Sequence, residues 1–347
     1  MKQPESSKFN TFLDKRNHLW IGGCVCILLG ICLGILIEAR IKVKPDAPVY
    51  KPLRDSNTGY KFTNPLLACD ISKPKDITKL KPLEEKIRTL LSRPDLVQTH
   101  TTASVYFREL STGRWTAVNE EQTYNPASLL KIPIMIAYYK AAEKQPEILA
   151  KRIVYQAGGP DLNASENFKP RESIKVGQSY TIQQLIEHMV GYSDNNAVSL
   201  LIQAIEPSIQ KEVYTDISLS YPDVNGQVKP MGVKDYSYFF RILYNATYLT
   251  KDLSEKALKV LSTRSFPLGL NAGVPSDIVM SEKFGERSNV DVQKNILSRE
   301  LHDCGIVYYP QNPYLVCVMT KGQTTFETLE GLIKDISHVA YEEAISQ

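Results

Sequence analysis

The sequence is poor in the patterns that mark metal, nucleotide and nucleic-acid sites. Its 5 histidines are scattered, and it contains neither a His-x-x-x-His nor a Cys-x-x-Cys pair, so we expect no metal site. A glycine-rich phosphate loop and internal repeats are absent as well, so no cofactor is predicted. The net charge of +3 is too small to indicate a nucleic-acid partner. What remains is the composition of an ordinary globular protein.

One long uncharged run lies near the N-terminus. Residues 19–37 carry no charge, and at about 1.5 Å per residue a helix of this length matches the core of a bilayer. Trp20 stands at one end, where an interfacial aromatic residue is expected. A cleaved signal peptide is the alternative, but no Ala-x-Ala-like site follows the run. We therefore predict a cytoplasmic tail over residues 1–17 and a transmembrane signal anchor over residues 18–38.

The anchor is followed by a tether and then by one domain. Residues 39–77 are rich in proline and lysine, a composition typical of an extended tether. Residues 78–347 show two strand patterns, a series of helices, three more strands and a last helix. Strands segregated to the two ends of a domain predict an α+β fold with an antiparallel sheet faced by helices.

Two further features of the sequence concern pairing. Gly30 and Gly34 form a Gly-x-x-x-Gly face that could join two anchors in a weak dimer. Cys304 and Cys317 lie on two apolar strands that flank a turn, so they could face each other. Whether they form a disulfide depends on geometry that the sequence does not supply.

A serine and a lysine begin the apolar stretch in the middle of the chain. Ser128 and Lys131 are three residues apart, and on a helix they would share one face, with Ser128 opening the helix. Unpaired N–H groups at a helix start favour negative charge, and a neighbouring lysine can act as the base for a serine nucleophile. Taken alone, the pair also fits an N-cap serine beside a solvated lysine.

Two later fragments favour the catalytic interpretation. Residues 193–195 read Ser-Asp-Asn and residues 283–285 read Lys-Phe-Gly. Each alone has a structural explanation, since Ser, Asp and Asn all cap helices and a strand lysine is usually solvated. Together with Ser-x-x-Lys and in this order, they resemble the signature of class A β-lactamases and penicillin-binding proteins. The resemblance extends from about Leu83 to the C-terminus.

The resemblance implies a role for each matching residue. The implied catalytic residues are Ser128, Lys131, Ser193, Asn195 and Lys283. Ser128 would form an acyl-enzyme, and Lys131 would accept its proton once burial and the charge of Lys283 lower its pKa. Ser193 would relay a proton to the leaving nitrogen, and Asn195 would hold Lys131 and the substrate amide. The backbone N–H groups of Ser128 and Glu286 would form the oxyanion hole. Two neighbours, Phe284 and Gly285, would also contact substrate.

The sequence departs from the family pattern at two places. Phe284 replaces the Thr whose hydroxyl would bind a substrate carboxylate. Class A β-lactamases also use a glutamate in the loop after Ser-Asp-Asn to activate the deacylating water. The matching residues 214–226 contain no glutamate, and Asp216 is the nearest candidate base. Acylation could then be intact while deacylation is slow.

The resemblance also implies a fold, a substrate and a location. We expect a five-stranded antiparallel sheet flanked by helices, an all-helical subdomain, and an active site between them. The function predicted first is a membrane-anchored serine hydrolase that opens β-lactam rings through Ser128. The alternatives are a D-Ala-D-Ala peptidase or penicillin-binding protein with slow deacylation, and a catalytically silent domain that binds cell-wall peptides. The partner would be a β-lactam or a peptidoglycan stem peptide, and the domain would lie outside a bacterial cell membrane.

Overall fold

The computed structural model describes residues 53–54, 59–68, 79–221, 229–263, 266–310 and 312–346. These residues all belong to the second of the two units into which the chain divides, Tyr50–Gln347. In the described part of the chain, no helix is both long and apolar enough to cross a membrane. The predicted anchor over residues 18–38, with Gly30 and Gly34, lies outside the described residues.

The centre of the domain is a five-stranded antiparallel sheet, as predicted. Its strands are β3 (Thr102–Glu109), β4 (Trp115–Val118), β7 (Met280–Val290), β8 (Ile296–Val307) and β9 (Tyr314–Gly322). Their order across the sheet is β4-β3-β9-β8-β7, so β7 is an edge strand. Two small sheets, each a single pair, are formed by β1 (Leu53–Arg54) with β2 (Leu66–Ala68) and by β5 (Arg152–Val154) with β6 (Ser179–Thr181).

Helices cover both faces of the central sheet. They are α1 (Lys81–Leu91), α2 (Pro94–Gln98), α3 (Lys131–Lys144), α4 (Ile182–Gly191), α5 (Asn195–Ala204), α6 (Pro207–Asp216), α7 (Val233–Tyr244), α8 (Lys251–Ser262) and α9 (Phe326–Ile345). The buried residues of α1 and α9 pack on one face of the sheet, and those of α3, α4, α7 and α8 form the core on the other face. This second group is the helical layer that places one wall of the site.

The structure differs from the sequence-based expectation at several elements, of which three examples follow. The α-helix begins at Lys131 rather than at Ser128, which lies on a preceding 3-10 turn, Ala127–Leu130. The helix α6 was not predicted, although Pro207 at its first turn is a favoured start. The short pair β5–β6 was also missed, because strands of three residues carry too little periodicity to be recognised.

The N-terminal end of the described chain packs on the domain. Phe62 is buried and its ring lies 5.3 Å from that of Tyr308, edge to face. The carboxylate of Glu255 accepts hydrogen bonds from the backbone N–H groups of residues 61–63. Part of the predicted tether is therefore packed on the domain.

Cys304 and Cys317 are direct neighbours across β8 and β9, and they form a disulfide.

Candidate active site

Ser128 lies on a turn that Pro133 keeps from forming part of the α-helix. Pro133 has no N–H, so the carbonyl of Leu129 cannot accept the usual bond from four residues on, and a regular helix cannot extend back through this turn. The Leu129 carbonyl accepts a hydrogen bond of 2.9 Å from the hydroxyl of Tyr236 on α7 instead. The serine therefore lies on the 3-10 turn that immediately precedes α3.

The turn is pressed against the edge strand β7 at a glycine. A Cβ atom on Gly285 would lie 2.9 Å from the carbonyl oxygen of Pro126 and 3.1 Å from the backbone nitrogens of Ser128 and Leu129. Only glycine allows this approach. It brings the backbone of Ser128 beside that of Glu286, as an oxyanion hole built from their two N–H groups requires.

Side chains of β8 hold the residue that precedes the turn. The Nε2–H of His302 donates to the carbonyl of Asn125 at 2.9 Å, because Nδ1 of His302 accepts from the N–H of Thr320 at 3.3 Å. The N–H of Asn125 donates to the Glu300 carboxylate at 3.2 Å. Ala127 then adopts a φ of 48°, in the left-handed region that L-residues seldom occupy. Such strain clusters at functional sites.

Lys131 is buried and faces the Ser-Asp-Asn segment. It is 4% exposed, and its Nζ donates to the carbonyl oxygen of Ser193 at 2.6 Å and to the Ser193 hydroxyl at 2.9 Å. Burial lowers the pKa of Lys131 well below its usual range and the charge of Lys283 lowers it further, while the carboxylate of Glu166 opposes both. Ser193 has a φ of 61°, which directs both of its oxygens to the lysine. The predicted pair of base and relay is therefore in contact.

The Ser-Asp-Asn segment is held in this conformation by the carboxylate of its aspartate. Asp194 is fully buried and caps α5 by accepting from the N–H of Asn196 at 2.9 Å. It also accepts from Asn163 Nδ2 at 2.8 Å, from the Ser173 hydroxyl at 3.0 Å and from the N–H of Ile174 at 2.8 Å. The segment is thus both a helix cap and one wall of the site.

Lys283 reaches the site from β7. It is 2% exposed, and burial lowers its pKa to about 8, against the opposing charges of Glu282, Asp303 and Glu166. Its Nζ lies 4.1 Å from the centroid of the Phe284 ring, a cation–π contact. The aromatic side chain occupies the place where the family pattern has a hydroxyl.

A cleft of about 450 Å³ opens beside Ser128 and Lys131. The apolar part of its lining includes Pro133, Ile134, Val198, Ile202, Tyr214 and Tyr221. Asn195 and Glu166 line it as well, and Asn195 Nδ2 donates to the Glu166 carboxylate at 2.9 Å. Glu166 was missed in the sequence, because it lies in a polar loop before Ser193 and belongs to no motif. Only contact between distant segments identifies it.

Two other carboxylates lie in different surroundings. Asp216 is the last residue of α6, and its carboxylate accepts a hydrogen bond of 2.9 Å from the hydroxyl of Tyr248. It is not among the described residues that line the cleft. Glu286 does line the cleft, and burial raises the pKa of its side chain to about 7, although the N–H of Phe168 donates to it at 2.6 Å.

The side chains at the site are suited to acyl-transfer chemistry. Among the described residues, no group of three His, Cys, Asp or Glu side chains is arranged to hold a metal ion. A serine hydroxyl, a buried lysine with a lowered pKa and the backbone N–H groups where the turn meets β7 can together attack a carbonyl and stabilise the resulting oxyanion. A second cavity of about 690 Å³, beside Phe62 and Tyr308, contains none of the predicted site residues.

Comparison with known proteins identifies the family of the chain and its fold. The sequence profile of the beta-lactamase enzyme family matches residues 82–344. The solved structure of PBP-A is 21% identical with a TM-score of 0.63, covering 79% of this chain and 99% of that chain. The beta-lactamase from Sphaerobacter thermophilus is 18% identical with a TM-score of 0.61, covering 76% and 97%. A class A beta-lactamase from Mycobacterium abscessus is 16% identical with a TM-score of 0.61, covering 75% and 98%. A search of curated proteins finds no match.

Proposed function

Because the chain belongs to the beta-lactamase enzyme family, we propose that it is a serine hydrolase that opens β-lactam rings through an acyl-enzyme on Ser128. The observation that carries the proposal is the buried Lys131, whose Nζ contacts both oxygens of Ser193 within 2.9 Å. A lysine is a base only when it is neutral, and burial lowers its pKa in that direction. An ordinary surface lysine, with a pKa of about 10.4, would remain protonated at neutral pH.

Acylation would proceed in two steps. The Ser128 hydroxyl gives its proton to Lys131 as its Oγ bonds to the carbonyl carbon, and the N–H groups of Ser128 and Glu286 stabilise the oxyanion. The carbon–nitrogen bond then breaks. The proton held by Lys131 passes through the Ser193 hydroxyl to the leaving nitrogen. The hydrogen bond of 2.9 Å between Lys131 Nζ and Ser193 Oγ provides the first part of this path. The product is an ester on Ser128.

Deacylation needs a base that deprotonates a water. The structure offers Glu166 in the cleft, whereas the carboxylate of Asp216 is bonded to Tyr248. The alternative is therefore a penicillin-binding protein with slow deacylation. The position of Asp216, away from the cleft, argues against rapid deacylation with Asp216 as the base. A mutant of PBP-A is known as an acyl-enzyme complex with penicillin G. A silent cell-wall-binding domain is disfavoured, because such a domain has no use for a buried lysine beside a serine.

The location of the enzyme is part of the proposal. Residues 18–38 would anchor it in a bacterial cell membrane, and the domain would lie on the outer side, where β-lactams and peptidoglycan peptides are met. The disulfide between Cys304 and Cys317 supports an oxidising compartment, since disulfides persist outside the cytoplasm.

The test is to mix the full-length protein with nitrocefin and to follow both absorbance and intact mass. Continued hydrolysis that Ser128→Ala abolishes would establish a β-lactamase. A mass gain of one ligand without turnover would establish the penicillin-binding alternative. A folded protein with neither hydrolysis nor adduct would refute β-lactam chemistry at this site.

A further inference from the structure

The loop that carries Glu166 crosses the cleft, and we call residues 161–168 the cleft strap. Its first half is bonded to the start of α5. The N–H of Leu162 donates to Asn196 Oδ1 at 3.0 Å, and the N–H of Asn195 donates to Asn163 Oδ1 at 2.8 Å. The side-chain amide of Asn195 donates to the carbonyl of Leu162 at 3.3 Å as well as to Glu166. The amide assigned to the substrate is therefore already engaged by the strap.

The second half of the cleft strap is bonded to the opposite wall. The N–H of Phe168 donates to the Glu286 carboxylate at 2.6 Å. The ring of Phe168 packs edge to face on three others, with centroid distances of 5.0 Å to Phe266, 5.9 Å to Phe284 and 5.5 Å to Phe326. Phe266 and Phe284 are themselves stacked at 4.2 Å. The residue that replaces the family's hydroxyl is thus a docking partner for the strap.

This contact closes the part of the site at Lys283. The ammonium lies against the Phe284 ring, and Lys283 is 2% exposed. Among the described residues, those that line the open cleft include Ser128 and Lys131 but neither Lys283 nor Phe284. The open cleft therefore serves the acyl side of a substrate, while the place where the family pattern binds a carboxylate is covered.

The negative charges of the cleft also disfavour a substrate carboxylate. The carboxylates of Glu166 and Glu286 both line the cleft, and they are close enough for the charge of Glu166 to raise the pKa of Glu286. Arg287, the next residue on β7, also lines the cleft, but it is exposed and its Nε donates to Asn289 Oδ1 at 3.0 Å, farther along the strand. An incoming carboxylate would therefore pass the side chains of Glu166 and Glu286, with one exposed arginine beside them, before it reached Lys283.

We propose that the cleft strap determines specificity on the leaving-group side: held shut by Phe168 and Phe284, it disfavours acyl donors whose leaving group carries a carboxylate. This inference rests on the proposed acyl-enzyme at Ser128 and names its substrate class. The preferred donors have an apolar acyl group and a neutral leaving group. Donors with a carboxylate, β-lactams included, react after the strap has been displaced, and they are therefore slower.

A matched pair of esters tests the proposal with the full-length protein. Both are phenylacetylglycyl esters; the leaving group is 3-hydroxybenzoate in one and its methyl ester in the other, so they differ by one carboxylate. The measurement is kcat/KM from release of the phenol, with intact mass to confirm the adduct on Ser128. We expect the methyl ester to react about tenfold faster or more, since each aromatic contact that must open is worth up to about a factor of ten.

Variants of the two aromatic residues separate the strap from other causes. Phe168→Ala should raise kcat/KM for the carboxylate ester by about tenfold, the size of one such contact, and change the neutral ester little. Phe284→Thr, which restores the family residue, should do the same and serves if Phe168→Ala does not fold. Tyr309→Ala is the matched control, because its ring pairs with Tyr341 at 5.9 Å outside the strap cluster and its loss should leave the ratio unchanged.

The outcomes distinguish this inference from the proposed function. If both esters and nitrocefin acylate Ser128 but the carboxylate ester reacts equally fast or faster, the specificity role is overturned and the proposed function stands. If the ratio of kcat/KM between the two esters is unchanged in folded Phe168→Ala and Phe284→Thr, the specificity role is likewise overturned and the proposed function stands. If neither the esters nor nitrocefin acylates Ser128 in any variant, the proposed function falls and the inference falls with it.

Discussion

Replacing Gly285 by alanine should slow the acylation of Ser128 and leave a folded, less stable domain. The added Cβ would lie 2.9 Å from the Pro126 carbonyl oxygen, and ordinary contact begins at 3.4 Å, so the two backbones must separate by about 0.5 Å (3.4 − 2.9). The neighbours are backbone atoms, which cannot swing aside as a flexible side chain can. The separation widens the space between the N–H groups of Ser128 and Glu286, which together would hold the oxyanion.

The size of the effect follows from the loss of one oxyanion donor. Hydrogen bonds of about 2.9 Å become ineffective when they are lengthened by half an ångström. Loss of one such donor lowers the rate by about 100-fold to 1,000-fold, or about 2.7–4 kcal/mol. We therefore expect Gly285→Ala to acylate with nitrocefin at least about 100 times more slowly, while overpacking costs about 1–3 kcal/mol of stability.

The assay is the rate of adduct formation by rapid-quench intact mass, with a thermal melt of each protein. Gly331→Ala is the matched control, because Gly331 lies within α9 and a Cβ there meets no atom within 4 Å. That change should leave the rate unaltered and stabilise the helix by about 0.5–1 kcal/mol. A Gly285→Ala protein that melts as a folded domain and acylates at the wild-type rate would refute the assignment of the oxyanion hole.

Two further predictions concern carboxylates. Glu166→Gln should leave acylation within a few fold but make the adduct on Ser128 persist, measured as adduct lifetime by mass; an unaltered lifetime would remove Glu166 as the deacylation base. Burial raises the pKa of both Glu282 and Asp303, two buried carboxyl groups whose charges act on each other and on Lys283. Since a raised folded pKa favours the protonated folded state, stability should fall as the pH rises from about 4, the unfolded value, through the raised range. Asp303→Asn should flatten that dependence in denaturant titrations at several pH values, and an equally steep loss would exclude the pair as its cause.

Local patterns in the sequence were sufficient for most of the fold. Alternation of apolar residues located the five strands. The start of α4 also has a local signature, because Thr181-Ile-Gln-Gln184 is a capping-box sequence and the Thr181 hydroxyl accepts from the N–H of Gln184 at 3.1 Å. The pattern did not locate the exact start of the nucleophile's helix. That depends on Pro133, whose missing N–H makes the α-helix begin about one turn later than the apolar run suggests, at Lys131 rather than at Ser128.

The motifs in the sequence also named Ser128, Lys131, Ser193, Asn195 and Lys283, because spacing on one turn and short triplets are visible in a single chain. Three things depend on segments far apart in sequence: the lowered pKa of Lys131, the covered position of Lys283 and the presence of Glu166 in the cleft. Burial, charge and contact are properties of atoms brought together across the fold. Phe284 illustrates the difference, since in the sequence it is a missing hydroxyl, and in the folded protein it is the surface on which Phe168 docks.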